Sequence, residues 1–411
     1  MIFLISGFTT SELEAGEHPW GSEKLSPKEI GSYFDSAVLA AKWYMNNQNT
    51  QEHPWGGIHD SADLGRFIYE YYPTRRWARG NGVWGQGVGI MALLALHSRT
   101  GRNEYLQSAK MAGEYLKSLQ ILDSQIPANF GAIREHNPQD NWSFPRDAAT
   151  GGMAFAALYQ YTGNEEYLFR AKILCNWFIE YCMGEEKWPH RQYWFDRKKQ
   201  PPKTTKEYFQ VGAGLMFYYV YKLTGEKRYV NNGLIPICEL LTRDYHINPW
   251  LKPAPMEMES PWSTNDDFAA ITILAAYRVT GDKKYFDAVK RHADWLVSVQ
   301  DKDGSYSGFS SAVYVTSLTM LELCRVIEDE RMNIDTAPYY KAVHKAARFG
   351  LTLQERESRD IMAYGGFYGQ TYFGLNKDRI HHRVTGYSLI FNLRYEGRIN
   401  VPYYSTYGWK K

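Results

Sequence analysis

The chain has 411 residues, 44% hydrophobic and 22% charged, enough for one large core or two to three ordinary ones. A formal net charge of +2 excludes a global electrostatic case for nucleic acid or an anionic membrane and leaves only local preferences. Aromatic residues reach 16%, with 13 Trp and 32 Tyr, which suits packing between helices or the flat faces of sugars.

The opening MIFLISGF is apolar, but it lacks a basic flank and is short for a secretory core, so the compartment stays open between cytoplasm and export. No apolar run approaches membrane-spanning length, and a soluble protein is expected. Residues 1–26 read as an N-terminal extension and 27–411 as one domain. Within it a motif recurs: TGRNEY (Thr100 to Tyr105), TGNEEY (Thr162 to Tyr167), TGEKRY (Thr224 to Tyr229) and TGDKKY (Thr280 to Tyr285). Each copy separates a largely apolar helix from an amphipathic one, with Gly permitting a left-handed C-cap.

The amphipathic helices share a frame. Tyr33, Tyr105, Tyr285 and Tyr339 each stand fifteen residues before a glutamine: Gln48, Gln120, Gln300 and Gln354. Tyr167 and Tyr229 begin two more such helices, whose fifteenth positions are Cys182 and Asp244. The other six helices are apolar nearly all round: 89–96, 151–159, 212–221, 268–277, 313–321 and 386–393. A helix apolar on every side is buried on every side, so these form an inner ring wrapped by the amphipathic six. The first helix lacks an inner partner before it and the last lacks an outer partner after it, so pairing them closes the ring. The predicted fold is all-α, a single (α/α)6 barrel or six-hairpin toroid. Connections from outer to inner helices are long (49–82, 121–146, 183–207, 245–265, 301–311 and 355–383), which places function at that end of the barrel.

Candidate site residues fall in those connections. HPWGGIHD supplies Trp55 and Asp60, and RRWARGNGVWGQG supplies Trp77, Arg79 and Trp84. The latter contains a formal GxGxxG, but no buried strand precedes it and no parallel sheet surrounds it, so a dinucleotide turn is rejected. Its glycines are read as allowing close backbone approach at the start of an inner helix. Arg134, His136, Arg146 and Asp147 follow before the second inner helix, and Trp262, Asp266 and Asp267 before the fourth. Tyr364, Tyr368, His381, His382 and Arg383 gather before the last. The four cysteines, Cys175, Cys182, Cys238 and Cys324, show no ligand spacing, so free thiols, no metal site and no cofactor are expected.

The segment WARGNGVWG resembles the W-x-R-G-N/Q-x-W segment of unsaturated glucuronyl and rhamnogalacturonyl hydrolases, members of the six-hairpin glycosidase superfamily. The resemblance implies that Arg79 and, offset by one residue, Trp84 contact an acidic sugar. In that family the segment follows the catalytic aspartates, whereas here it opens the first complete hairpin. The Asp266–Asp267 pair at an inner-helix start resembles the catalytic site of several six-hairpin glycosidases. One of these with Asp147 or Asp60 would supply the two carboxylates that glycosidic cleavage needs. The Tyr368, His381 and Arg383 cluster is similar to sets used by toroid polysaccharide lyases and glucuronyl C5-epimerases, in which Arg neutralises the uronate and His or Tyr moves protons. WLVSVQDKDGSY (295–306) resembles the QW repeat of triterpene cyclases and prenyltransferase β-subunits. With no DxDD motif and no zinc-ligand set, it is read as part of the toroid's own repeat.

The expected function is a glycoside hydrolase acting on a uronate-containing oligo- or polysaccharide by aspartate acid/base catalysis. The alternative is a polysaccharide lyase or uronyl C5-epimerase, and the third reading is a non-catalytic carbohydrate-binding toroid. An acidic saccharide is the expected partner, with neither nucleic acid nor membrane.

Overall fold

The computed structural model describes residues 27–51, 63–80, 82–184, 189, 192–196, 212–243, 268–306, 310–371, 374–397 and 402–409. Outer and inner helices alternate along it. The first hairpins comprise α1 (Pro27–Asn46), α2 (Val83–Thr100), α3 (Asn103–Ser118), α4 (Pro145–Thr162) and α5 (Glu165–Trp177, extended by a π-helical turn Phe178–Cys182). Next come α6 (Gly212–Thr224) and α7, which runs Lys227–Tyr229, a π-helical turn Val230–Leu234 and Ile235–Arg243. The last are α8 (Ala269–Thr280), α9 (Lys283–Val299), α10 (Ser310–Asp329), α11 (Ala337–Leu351) and α12 (His382–Tyr395). The even-numbered helices pack side by side as a closed inner ring, α12 against α2, and each carries an outer helix on its back. The closing hairpin is α12 with α1. This is the (α/α)6 toroid predicted from the repeat. Its inner helices are dry: every residue of α2 from Val83 to Leu96 is buried. The four cysteines are free and buried.

The TG motif works through both of its residues. Gly101, Gly163, Gly225 and Gly281 adopt φ of 69°, 67°, 75° and 72°, the left-handed region that glycine occupies without strain. The preceding threonines (Thr100, Thr162, Thr224, Thr280) each donate their hydroxyl to the carbonyl four residues back and accept the N–H two residues ahead. One side chain therefore ends the inner helix and starts the turn.

The recurring glutamines turn out to be clamps. Gln48, Gln120, Gln300 and Gln354 each donate Nε2–H to a glycine carbonyl in the loop that follows: Gly65, Gly131, Gly304 and Gly365. Each also donates to a backbone carbonyl of the next outer helix: Ser108, Arg170, Ala342 and Ser36. Those glycines have φ of 88°, 91°, 95° and 88°. A Cβ there would collide with the carbonyl of Met111, Ile173, Lys345 or Leu39, on that same neighbouring helix. Each loop is thus pressed against the next hairpin by one amide.

The long connections add small sheets to the helical ring, a difference from an all-α expectation. Strands β1 (Ile68–Tyr72) and β2 (Trp77–Gly80) form a hairpin, β3 (Trp142–Ser143) pairs with β4 (Tyr193–Trp194), and β5 (Tyr368–Thr371) pairs with β6 (Gly374–His381). All pairs are antiparallel, and β1 joins β6 to give the order β2-β1-β6-β5. Loops distant in sequence can pair edges here because both arise at the same end of the closing hairpin. Strands β1 and β2 do precede the Gly-rich run, where the sequence predicts no buried strand, but their pairing is antiparallel, whereas a dinucleotide-binding turn needs a parallel unit.

At the TG end, segment 402–409 packs into the ring. Glu322 on α10 accepts from the Thr406 N–H at 2.6 Å, the Thr406 hydroxyl at 2.6 Å and the Ser405 hydroxyl at 2.8 Å. Arg394 on α12 donates to the Tyr403 and Tyr404 carbonyls at 2.5 and 3.0 Å and lies 4.0 Å from Glu322. Tyr218 on α6 donates to the Thr406 carbonyl, and Gln160 on α4 to that of Gly408. Four inner helices therefore hold this one segment by hydrogen bonds.

Candidate active site

The opposite end of the ring collects the N-termini of the inner helices, whose first turns carry unpaired N–H groups and a positive dipole end. Trp84, in the first turn of α2, is the centre of the described site. The Arg146 guanidinium from α4 lies 4.4 Å from its ring centroid, and that of Arg383 from α12 lies 4.3 Å away. Its indole N–H donates to the Tyr387 hydroxyl at 3.2 Å. His382 stands edge-on to it, with centroids 6.0 Å apart.

His382 has its tautomer set by its surroundings. Nδ1 lies 2.9 Å from the Tyr69 carbonyl, which can only accept, so Nδ1 carries the proton and Nε2 holds a bare lone pair. That Nε2 is buried and has no hydrogen-bond partner. Burial, followed by the charge of Arg383, pushes the imidazole down to about 3, so it is neutral near pH 7. The ring of His381 stacks on it at 4.9 Å and 29°. His381 is held differently. Its Nδ1 accepts the Arg383 N–H at 3.1 Å and caps α12, leaving the proton on Nε2. Burial and then His382, Arg383, Arg379 and Arg79 hold His381 well below the ordinary histidine range. The ring of Tyr69 contacts both, at 4.8 Å from His381 and 4.6 Å from His382.

Sheet β2-β1-β6-β5 forms one wall. Buried Glu70 on β1 pairs with Arg379 at 2.6 Å and, at 4.0 Å, with Arg79. The Arg79 side chain is 57% exposed and its guanidinium lies over the Tyr69 ring at 5.3 Å. Trp77, half exposed, packs against Tyr72 at 5.5 Å. Arg79 stands near the end of β2, over Tyr69, and Trp84 in the first turn of α2, over which Arg146 and Arg383 lie. Tyr368 donates its hydroxyl to Glu355. Tyr364 sits in the turn before β5, its N–H on the Asp360 carbonyl at 2.9 Å.

A second cluster flanks Trp84 on the α4 side. Asp147, in the first turn of α4, pairs with Arg146 at 3.0 Å. Its carboxyl is within hydrogen-bonding range of Glu135, a buried residue that sequence reasoning missed. Glu135 also accepts the Phe144 N–H at 3.1 Å. Burial and then the neighbouring Asp147 charge drive Glu135 well above the usual carboxylate range. Next to them lie His136, whose ring meets Trp142 at 5.7 Å, Trp194 at 6.2 Å from Trp142, and Arg134 over Phe195 at 5.8 Å. The structure thus brings Trp84, Arg146, Asp147, His381 and Arg383 together, with Arg79 nearby, and adds His382, Tyr69, Tyr387 and Glu135. Trp55, Asp60, Trp262, Asp266 and Asp267 lie outside the described residues. Among the described residues no group of three or more His, Cys, Asp or Glu is arranged to hold a metal ion, and no helix is long and apolar enough to cross a membrane.

The sequence matches no protein-family model and no characterised protein. The structure, in contrast, matches solved (α/α)6 toroid enzymes along nearly its whole length. A cellobiose 2-epimerase from Bacillus thermoamylovorans superposes with a TM-score of 0.69 at 14% identity, covering 91% of this chain and 100% of that one. An unsaturated glucuronyl hydrolase specific for heparin gives 0.62 at 12% identity, covering 90% and 96%. A family 76 glycoside hydrolase (mannosidase) from Bacteroides thetaiotaomicron gives 0.61 at 16% identity, covering 90% and 97%. At these identities the likeness establishes the six-hairpin toroid.

Proposed function

We propose that the chain is a carbohydrate-active enzyme that moves a proton at a sugar carbon next to a carbonyl or carboxylate, with His382 as base. The observation that carries this reading is the His382 imidazole: Nδ1–H is held by the Tyr69 carbonyl, and Nε2 is bare, buried and unprotonated, edge-on to the Trp84 ring that carries two guanidiniums. The imidazole is neutral at pH 7 and accepts a proton without first losing one, and a bound anionic or polar ligand must raise its proton affinity from about 3 for it to act as base. The electron pair left on carbon delocalises onto the neighbouring oxygen, where Arg383 and Arg146 stabilise the developing charge. The His382 imidazolium then returns its proton to carbon or to a departing oxygen, which restores the neutral ring, while His381 keeps its Nε2 proton and offers it only as a hydrogen bond. Reprotonation on the other face gives an epimer, reprotonation at the neighbouring carbon an isomer, and loss of a β-oxygen an unsaturated product. The guanidinium pair also suits a uronate carboxylate. The toroid of a cellobiose 2-epimerase supports a sugar substrate without fixing which one.

A second reading, aspartate-catalysed glycoside hydrolysis, is favoured by Asp147 at the start of α4 and by the hydrolases among the structural matches. Carboxyls that flank a glycosidic bond stand about 5–9.5 Å apart. Glu135 and Asp147 are closer than that and act as a single acid/base element, so hydrolysis needs a further carboxylate, for which Asp266 or Asp267 is the candidate.

One experiment separates the two. The protein is incubated in D2O with glucose, mannose, cellobiose and uronate oligosaccharides and followed by proton NMR, with reducing ends assayed in parallel. Deuterium entering a sugar carbon, abolished by His382→Gln, supports proton transfer. Reducing ends without deuterium on carbon, abolished by Asp147→Asn, would replace that reading with hydrolysis.

A further inference from the structure

Two buried aromatic residues have positive φ: Phe268, at 53°, and Tyr404, at 52°. A non-glycine residue in the left-handed region is strained and persists only where its surroundings demand it. Phe268 and Tyr404 stack on each other, with centroids 4.0 Å apart and planes at 15°. Phe268 immediately precedes α8 at the mouth end, whereas Tyr404 arrives from segment 402–409, anchored at the TG end by Glu322 and Arg394. The Tyr387 ring stands perpendicular to both, 5.2 Å from each. Tyr387 is the residue that accepts the Trp84 indole N–H. A continuous column of packed rings therefore runs from the TG-end segment to the indole that carries Arg146 and Arg383.

We propose that Tyr404 is a positioning residue: its ring fixes Tyr387, hence Trp84, hence the two guanidiniums that face the ligand. Segment 402–409 then serves the site from the far end of the barrel, without touching substrate. Removing the ring leaves a cavity beneath Tyr387 and Phe268, and the interior closes over such cavities only in part. Tyr387 then gains freedom, and the hydrogen bond from Trp84 opens more often. The tautomer of His382 is spared, because its ring is held separately by the Tyr69 carbonyl.

The test uses the full chain with Tyr404→Leu and Tyr404→Phe. Hydrogen exchange of the Trp84 indole N–H is measured by 15N NMR, its resonance assigned with Trp84→Phe. Tyr404→Leu should speed this exchange about tenfold, and Tyr404→Phe should leave it unchanged. On the sugar identified in D2O, Tyr404→Leu should lower kcat/KM about tenfold with a fall in kcat, the pattern expected when groups that stabilise developing charge are displaced, and Tyr404→Phe should change neither. The kinetic arm rests on the proton-transfer reading, whereas the exchange arm does not. A wild type that turns over no sugar thus overturns that reading while the indole still decides this one. Unchanged indole exchange in folded Tyr404→Leu refutes the role, as does equal acceleration by both variants. If Tyr404→Leu does not fold, Tyr404→Met fills the space without a ring and carries the same expectations.

Discussion

Replacing Gln354 by Leu tests whether the glutamine clamps hold the ring together. Gln354 joins α11 to α1 and so spans the seam where the two ends of the toroid meet. Its Nε2 donates to the Ser36 and Gly365 carbonyls, both at 2.9 Å, and its Oε1 accepts the Ser36 hydroxyl at 2.8 Å, all three buried, while a fourth, less buried bond from the Arg356 Nε–H at 2.9 Å adds less. Each such bond contributes about 1 kcal/mol net, so Gln354→Leu should cost about 3 kcal/mol. Gln300 offers an internal comparison. It makes only the two carbonyl bonds, at 3.2 and 2.8 Å and partly exposed, so Gln300→Leu should cost about 1.5 kcal/mol. Both variants keep the side-chain volume roughly constant, so cavity terms are minor. The assay is equilibrium urea unfolding with the slope checked for constancy. A Gln354→Leu cost below about 1 kcal/mol, or no larger than that of Gln300→Leu, would show that the clamps merely accompany the packing.

The remaining predictions concern buried charge. His382 is neutral in the fold, its affinity for a proton depressed to about 3 by burial and by Arg383, whereas in the unfolded chain it titrates near 6.5. Its contribution to stability is therefore complete above pH 6.5 and is lost as pH falls from 6.5 toward 3. One unit below 6.5 that loss is about 1.4 kcal/mol, so the drop in unfolding free energy between pH 7.5 and 5.5 should be smaller by about that amount in His382→Gln. Equal drops in both proteins would mean that the imidazole is protonated in the fold. Glu322→Ala strands the buried Arg394 guanidinium and frees Ser405 and Thr406, at a cost of about 3–5 kcal/mol. Limited proteolysis should then cut within 402–409 ahead of the rest, and an uncut segment in the folded variant would contradict the anchoring.

Much of the fold was legible because it repeats. Thr-Gly turns and the Tyr-to-Gln interval recur in phase, and only a closed ring gives every apolar helix a neighbour on each side. The same glutamines could be counted in the sequence, but their partners could not. Their amides bind backbone carbonyls, which carry no residue identity. The site was less legible for the same kind of reason. Arg79 and Trp84 are close in sequence, yet a strand end and a helix start intervene. Trp84 meets Arg146 and Arg383 only because α4 and α12 flank α2 in the ring. His381 and His382 are identical neighbours in sequence, and the cap at α12 separates their tautomers. Glu135 sits in an irregular segment with no periodicity to mark it as the partner of Asp147.

The glutamine–glycine clamps also bear on how such a protein can be altered. In each clamped hairpin the chain leaves an outer helix at Gln and returns to the next hairpin at Gly, whatever lies between. The interval runs from Gln300 to Gly304 in one hairpin and from Gln48 to Gly65 in another, yet both ends dock on equivalent backbone. Because closing a longer surface loop costs little once its ends are fixed, such segments are interchangeable cassettes. Everything between Gln and Gly can be transplanted while the helices, and the site residues that follow each Gly, keep their places.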